Sequence, residues 1–151
     1  MTSRFAVPTL PAATAKAKLP EVLDGARRHL LQIISRHGRD PVAVLALEDL
    51  RELLRAHRFE TEVAMHRGEA TLTLPQFSII GIGDTLDAAT ADALDKLREY
   101  ALQYLQRYEF YRHTDRRDLY PLVLRFLSTP EDEQPDLLLE PEVPEAARVM
   151  A

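Results

Sequence analysis

Hydrophobic and polar positions along residues 1–58 predict a β-α-α-β-β-α order of short elements. Residues 4–10 favour a strand, and helix-forming residues follow to about Lys18. Pro20 then predicts a kink, because proline removes a backbone donor and clashes with the preceding helical turn. A second helical piece with apolar residues at helical spacing continues to about Arg28.

Two runs rich in Leu and β-branched residues, 30–35 and 41–47, predict a hairpin that turns at Gly38. Residues 47–58 repeat Leu at helical spacing, with acidic residues at the start and arginines at the end. That charge order favours a helix, because carboxylates stabilise its first turn and cations its last turn.

In the second half of the chain, the spacing of apolar residues changes from the alternation of strands to the spacing of helices. The predicted elements are strands within 59–66 and 69–83, a turn at Arg67 and Gly68, and helices at 83–111 and 119–127. Asp84 or Thr85 would cap the long helix, and Pro121 suits the first turn of the later one.

Residues 130–151 hold four Pro, seven acidic residues and one Arg, a composition that predicts an acidic tail unable to fold alone. Leu137, Leu138 and Leu139 form its one strongly apolar run. This run would either bury itself on a toxin or pack back on the chain's own core. Both alternatives follow equally from the sequence.

The composition limits what the chain can be. Its 151 residues suit one ordinary domain or two very small ones, and the absence of Cys excludes disulfides, thiolate metal sites and a Cys nucleophile. No apolar run is long enough to cross a bilayer, and the first 20 residues lack the apolar run of a secretory signal. The expected compartment is the cytoplasm, which the absence of Cys permits. The net charge of -5 divides into +4 for residues 1–58 and -9 for residues 59–151.

The sequence holds no recognisable catalytic or cofactor-binding pattern. The five His show no metal-ligand spacing, so neither a metal nor a cofactor is predicted. Gly81 and Gly83 lack the third glycine of a dinucleotide-binding loop, since Leu86 occupies that position, and they predict a strand-to-helix turn instead. The carboxylates Asp84, Asp87, Asp92 and Asp95 are expected on a solvated helix face without perturbed pKa values.

Basic residues of the first half predict contact with DNA, because each Lys or Arg placed on a phosphate releases condensed counterions. The candidates are Lys16, Lys18, Arg27, Arg28, Arg36 and Arg39. For Arg27 and Arg28, stabilisation of a helix C-terminus is an equally good interpretation.

The first half resembles the Phd/YefM antitoxins over residues 4–58. The residues that carry the resemblance are Ala15, Lys16, Leu19, Pro20, Ser35, Arg36, Gly38, Leu47, Glu48 and Asp49. It implies a homodimer that binds operator DNA and represses its own operon, with Lys16 and Arg36 entering or flanking a groove. The family often has Arg where this chain has Lys16, and Lys lacks the bidentate fork that reads guanine.

Residues 59 to about 108 resemble the HicB-like fold through a hairpin, a Gly-Asp-Thr-Leu turn and a long helix. This second resemblance implies a partner-binding module. The sequence thus predicts an α+β chain with a DNA-binding and dimerisation domain at 1–58, a HicB-like domain at 59–129 and an acidic tail at 130–151.

Two functional hypotheses follow. The first is a DNA-binding, homodimeric or larger autorepressor that neutralises a cognate toxin, since an acidic tail would attract a basic toxin that acts on RNA. The alternative is an interaction or scaffold protein that keeps the dimer fold without binding DNA. An enzyme is not indicated.

Overall fold

The computed structural model describes residues 4–140 and has the predicted α+β fold. The chain divides into two compact units, with the boundary between Leu53 and Leu54. Among the helices of the described part, none is long and apolar enough to span a membrane.

The first unit follows the predicted β-α-α-β-β-α order. Its elements are β1 (Thr9–Pro11), α1 (Ala12–Ala17), α2 (Leu19–Arg27), β2 (Gln32–Arg36), β3 (Arg39–Val44) and α3 (Leu47–Leu54). Strand β2 lies in the middle of the sheet, parallel to β1 and antiparallel to β3. The predicted kink is confirmed, because α2 begins at Leu19 with Pro20 in its first turn, where a missing N–H costs nothing.

Helix α3 ends at Leu54, four residues before the predicted end at Arg58. Arg51 is therefore the basic residue of its last turn. The reason lies in tertiary hydrogen bonds, since Arg125 donates to the carbonyl oxygen of His57 and Gln76 to that of Arg58. These contacts hold the segment after α3 in a non-helical path.

The second unit places helices on one face of an antiparallel sheet in the order β4-β5-β6. The strands are β4 (Glu62–His66), β5 (Glu69–Leu74) and β6 (Ile79–Gly83), and the helices are α4 (Leu86–Gln106), α5 (Tyr108–Tyr111), α6 (Tyr120–Leu127) and α7 (Gln134–Leu139). Short 3-10 turns occupy Pro75–Phe77, Asp115–Leu119 and Glu131–Glu133. Helix α4 packs on β5 and β6 and buries Leu72, Leu97 and Tyr104.

The start of the long helix is as predicted, and its end is not. Thr85 caps α4 by accepting a 3.1 Å hydrogen bond from the N–H of Ala88. The predicted single helix to residue 111 breaks at Arg107, whose φ of -112° leaves the helical region. Past the break, the ring of Tyr111 stacks on that of Tyr104 at 4.8 Å, so aromatic packing holds α5 against α4.

The glycines of β6 serve helix packing, which corrects their prediction as a strand-to-helix turn. A Cβ on Gly81 would lie 2.2 Å from the carbonyl oxygen of Ala89, and one on Gly83 2.6 Å from the Cβ of Ala88. Both glycines belong to a strand with an antiparallel neighbour, so a dinucleotide-binding βαβ unit is not formed here.

Residues 130–140 fold onto the second unit, which corrects the predicted acidic tail as far as residue 140. Helix α7 packs against α4, and Gln134 and Leu138 are buried. Composition alone indicated a tail because the segment cannot fold by itself, whereas the neighbouring helix supplies the apolar surface that it lacks. Residues 141–151 of the predicted tail lie outside the described residues.

Candidate nucleic-acid interface

The tip of the β2–β3 hairpin carries two arginines that face each other. Arg36 pairs with Arg39 across the ladder, and both side chains are exposed. The turn between them holds only His37 and Gly38, with φ values of 51° and 70°. Two successive left-handed residues are typical of a type I′ turn, whose twist matches that of the strands. The tight turn therefore fixes both guanidinium groups at one end of the sheet.

Like charges directly opposite each other in a sheet are destabilising. Among the described residues, neither Arg36 nor Arg39 forms an ion pair. The register is also irregular between Ile34 and Arg36, and Asp40 has a φ of 48°, so the ladder is distorted on both sides of the turn. An anion bound at the tip would relieve the repulsion between the two arginines.

Helix α1, which carries Lys16 and is followed by Lys18, begins at the same end of the sheet. Strand β1 pairs with β2 so that Pro11 is opposite Ser35, and α1 begins at the next residue, Ala12. Lys16 is then about 6 Å further along the helix axis, at the rise of an α-helix. Both lysines are exposed, because Ala15 and Val22 take the inward positions of the kinked helix pair.

Arg27 and Arg28 lie apart from this group. They end α2, which leads into the opposite end of β2 at Gln32, and the five residues of that strand span roughly 13 Å before Arg36. Arg27 pairs with Asp24 at 3.7 Å, with both side chains mostly exposed. Arg36 and Arg39 thus lie together at the hairpin tip, and α1, which carries Lys16, begins at that end of the sheet. Arg27 and Arg28 lie towards the other end.

One ordered polar contact of the first unit carries no sequence signal. Nδ1 of His29 lies 2.7 Å from Oδ1 of Asp49, which links the residue after α2 to the first turn of α3. His29 has a φ of 64°, so its backbone turns sharply to make this contact. The two residues are 20 positions apart, and neither periodicity nor spacing relates them.

The carboxylates of the second unit form no metal or catalytic cluster among residues 4–140. Asp92 nevertheless departs from the expectation of unperturbed groups on α4. Its Oδ2 accepts hydrogen bonds of 2.9 Å from Nζ of Lys96 and 2.9 Å from the N–H of Ile82. The bond from Lys96 and then that from Ile82 lower the pKa of Asp92.

The leucine run at the end of α7 is divided between core and surface. Leu138 is 2% exposed within the core, and Leu137 packs against that core. Leu139 is 41% exposed. For Leu137 and Leu138, the structure shows packing on the chain's own core, the second of the two alternatives. Contact of this run with a toxin stays a prediction, and Leu139 is the member best placed for it.

Known proteins resemble this chain in sequence and in fold. A family model of PHD-like proteins, described as the antitoxin of toxin-antitoxin, RelE / RelB systems, matches residues 8–140. No curated protein matches the chain. A crystal structure at 1.80 Å from Syntrophomonas wolfei subsp. wolfei, described as an antitoxin part of a candidate toxin/antitoxin system, superposes with a TM-score of 0.71. It is 20% identical, covering 87% of this chain and 96% of that one, and so shows a shared fold.

Proposed function

Because the chain belongs to the PHD-like antitoxins of toxin-antitoxin systems, we propose that it is a homodimeric repressor that binds its own operator DNA. The observation that carries the DNA-binding part is the uncompensated pair Arg36 and Arg39 at the hairpin tip. Phosphates of a DNA backbone would neutralise both charges, and a side chain in the groove would read bases. Lys16 and Lys18 extend this basic surface.

A second observation supports a homodimer through the first unit. Its buried apolar side chains are few and small, with Val22 and Ile33 the largest of those on α1, α2 and the sheet. Seven other apolar side chains of the unit are about half exposed or more: Leu19, Leu23, Leu30, Leu31, Val42, Leu47 and Leu53. So small a unit gains little from its own core, and association of two copies would cover such residues.

We also propose that the second unit binds the cognate toxin, which is the partner that membership of an antitoxin family implies. This unit is the more acidic part of the chain, and acidic surfaces attract basic proteins. We place the protein in the cytoplasm, where operator DNA and a toxin acting on cellular targets are both accessible. The proposed mechanism contains no catalytic step and no cofactor.

The first experiment is an electrophoretic shift of a DNA fragment from the protein's own promoter, at low salt and with an unrelated fragment as competitor. We expect retardation of the promoter fragment that the competitor reverses only in large excess. Failure of the wild-type chain to retard it would favour the alternative, a scaffold protein without DNA binding. Co-purification with the product of the neighbouring gene tests the toxin partner separately.

A further inference from the structure

The two edges of the β4-β5-β6 sheet differ in whether side chains occupy their outward backbone groups. At the β6 edge, the N–H of Ile82 donates to Oδ2 of Asp92, and the carbonyl oxygen of Ile80 accepts a 2.7 Å hydrogen bond from Nζ of Lys96. Both partners project from α4. An unpaired edge is a template for another strand, and these two side chains close it. No further strand can pair there without displacing them.

The β4 edge is open. All five residues of β4 are exposed, and the strand contains no Pro and no bulge in its five-pair ladder with β5. The two-residue turn at Arg67 and Gly68, with φ values of 49° and 80°, makes His66 and Glu69 a hydrogen-bonded pair. Hydrogen-bonded pairs alternate along an antiparallel ladder, so the N–H and C=O groups of Val63 and Met65 point outward.

The capped edge confirms this alternation independently. The backbone groups of Thr71 and Thr73 in β5 bond towards β4, so those of their β6 partners Ile82 and Ile80 face away from the sheet. There the side chains of Asp92 and Lys96 bind them. Among residues 4–140, the outward groups of Val63 and Met65 have no such partner. The sheet is thus closed at one edge and ready to accept a strand at the other.

The side chains of β4 are also incompletely covered. Val63 is opposite the buried Leu72 and Met65 opposite the buried Ala70, which places both on the face that α4 covers. Helix α4 packs on β5 and β6, and Val63 and Met65 remain 49% and 61% exposed. A strand added at this edge would bring apolar side chains against them.

We propose that the strand added to β4 is β4 of a second copy of this chain, antiparallel about a two-fold axis at Ala64. In that register Val63 faces Met65 of the second copy, and each pair exchanges both backbone hydrogen bonds. The outward groups of Val63 and Met65 are the ones this register requires. Four new hydrogen bonds then join two three-stranded sheets into one of six strands.

The side chains fit the same axis. Val63 and Met65 of the second copy form an apolar pair on the helix-covered face, and the symmetry repeats it. On the other face, Glu62 lies opposite His66 of the second copy, so a carboxylate meets an imidazole twice. Cross-strand pairs of these kinds stabilise antiparallel sheets. An axis at Val63 or at Met65 would also bring outward groups together, but within β4 it would form only one hydrogen-bonded pair. Ala64 is the centre that uses the outward groups of both residues.

Disulfide trapping in the full chain tests the proposal, because the protein has no cysteine of its own. At the axis the two copies of Ala64 form a non-hydrogen-bonded pair, with Cα atoms about 4.5 Å apart, a separation that a disulfide spans. We expect Ala64→Cys to form a disulfide-linked dimer under mild oxidation. Ile82→Cys is the matched control, since position 82 is exposed on the same sheet face but at the capped edge.

Association places the two thiols at an effective concentration in the millimolar range, so Ala64→Cys should oxidise on the order of a hundredfold faster than Ile82→Cys at micromolar protein. Equal rates for the two variants would overturn the proposal and leave the β4 edge to a different partner, such as a toxin strand. This readout concerns the β4 edges alone. Loss of DNA binding or of the first unit's dimer would leave it unchanged.

A second variant separates pairing from random collision of thiols. Met65→Pro removes an outward N–H that the β4–β5 ladder does not use, so proline is tolerated there as on other edge strands. Added to Ala64→Cys, it should lower the oxidation rate to that of the Ile82→Cys control while the melting temperature stays close to that of Ala64→Cys. Rapid oxidation in the double variant would contradict strand pairing as its cause.

Discussion

The guanidinium of Arg125 donates a 2.7 Å hydrogen bond to the carbonyl oxygen of His57, 68 residues away in the sequence. Arg125 is buried in α6, and its other terminal nitrogen lies 3.5 Å from Oε2 of Glu140, just after α7. Arg58 approaches the same carboxylate oxygen at 3.6 Å. One buried cation thus holds the start and the end of the second unit together.

Arg125→Ala should lower the free energy of unfolding by about 2 to 3 kcal/mol. The substitution removes hydrogen bonds of a charged donor and leaves the carbonyl oxygen of His57 without its partner. Urea denaturation of the full chain measures the change. Arg117→Ala is the control, because that arginine and its partner Asp118 are largely exposed, and a change of no more than about 0.5 kcal/mol is expected. Equal changes in both variants would show that the buried contact contributes nothing specific.

Gly81→Ala should destabilise the chain by about 3 kcal/mol, near the upper end for overpacking. The added Cβ would meet the backbone carbonyl of Ala89, which cannot rotate away as a side chain does. Helix α4 would have to move off β6. Thermal unfolding compares this variant with Ile82→Ala, which changes an exposed side chain of the same strand. A melting temperature for Gly81→Ala as high as that of Ile82→Ala would contradict the close packing.

Leu138→Ala should cost about 2 to 5 kcal/mol, the usual range for a buried leucine, whereas Leu139→Ala should cost under about 0.5 kcal/mol. The structural reason is that Leu138 lies in the core and Leu139 does not. Chemical denaturation checks both. If Leu139→Ala also weakens co-purification with the toxin without changing stability, the predicted toxin contact of the leucine run is supported at that residue. Similar small costs for both variants would show that α7 is not packed as described.

Asp92→Asn should reduce stability in a pH-dependent manner. The pKa of Asp92 in the folded chain lies below its ordinary value of 3.8, chiefly through the hydrogen bond from Lys96. A lowered pKa stabilises the folded state above the unfolded-state value and loses that effect as pH falls through the folded-state value. The difference in unfolding free energy between wild type and variant should therefore be present at pH 5 to 7 and shrink below about pH 3.8. A difference that stays constant with pH would contradict the assignment.

Local signals in the sequence predicted much of the fold. The kink at Pro20, the hairpin turns at Gly38 and Gly68 and the cap at Thr85 each depend on a few neighbouring residues, and the structure has all of them. The early end of α3 depends on Arg125 and Gln76, which no local pattern connects to it. The sequence left the packing of the leucine run open for the same reason, since the surface that covers Leu138 is supplied by distant residues.

The candidate site was predictable as a set of charges and not as an arrangement. The sequence analysis counted Lys16, Arg36 and Arg27 together as DNA-binding candidates, because each is a cation in the first half of the chain. The parallel pairing of Pro11 with Ser35 brings α1 to the end of β2 that carries Arg36, while Arg27 ends α2 on the way to the other end. Strand pairing over more than 20 residues decides this separation, and spacing along the chain does not show it.

The central claim is that the hairpin tip binds DNA through Arg36 and Arg39, and its most direct test is the salt dependence of promoter binding. The affinity of wild type, Arg36→Ala and Arg39→Ala for the promoter fragment is measured between low and moderate salt. Arg67→Ala is the matched control, because Arg67 is an exposed arginine at the corresponding turn of the second unit. Since a homodimer presents each tip twice, each substitution should reduce the slope of log affinity against log salt by about 2, with the control unchanged. Slopes for Arg36→Ala and Arg39→Ala equal to that of wild type would contradict the claim.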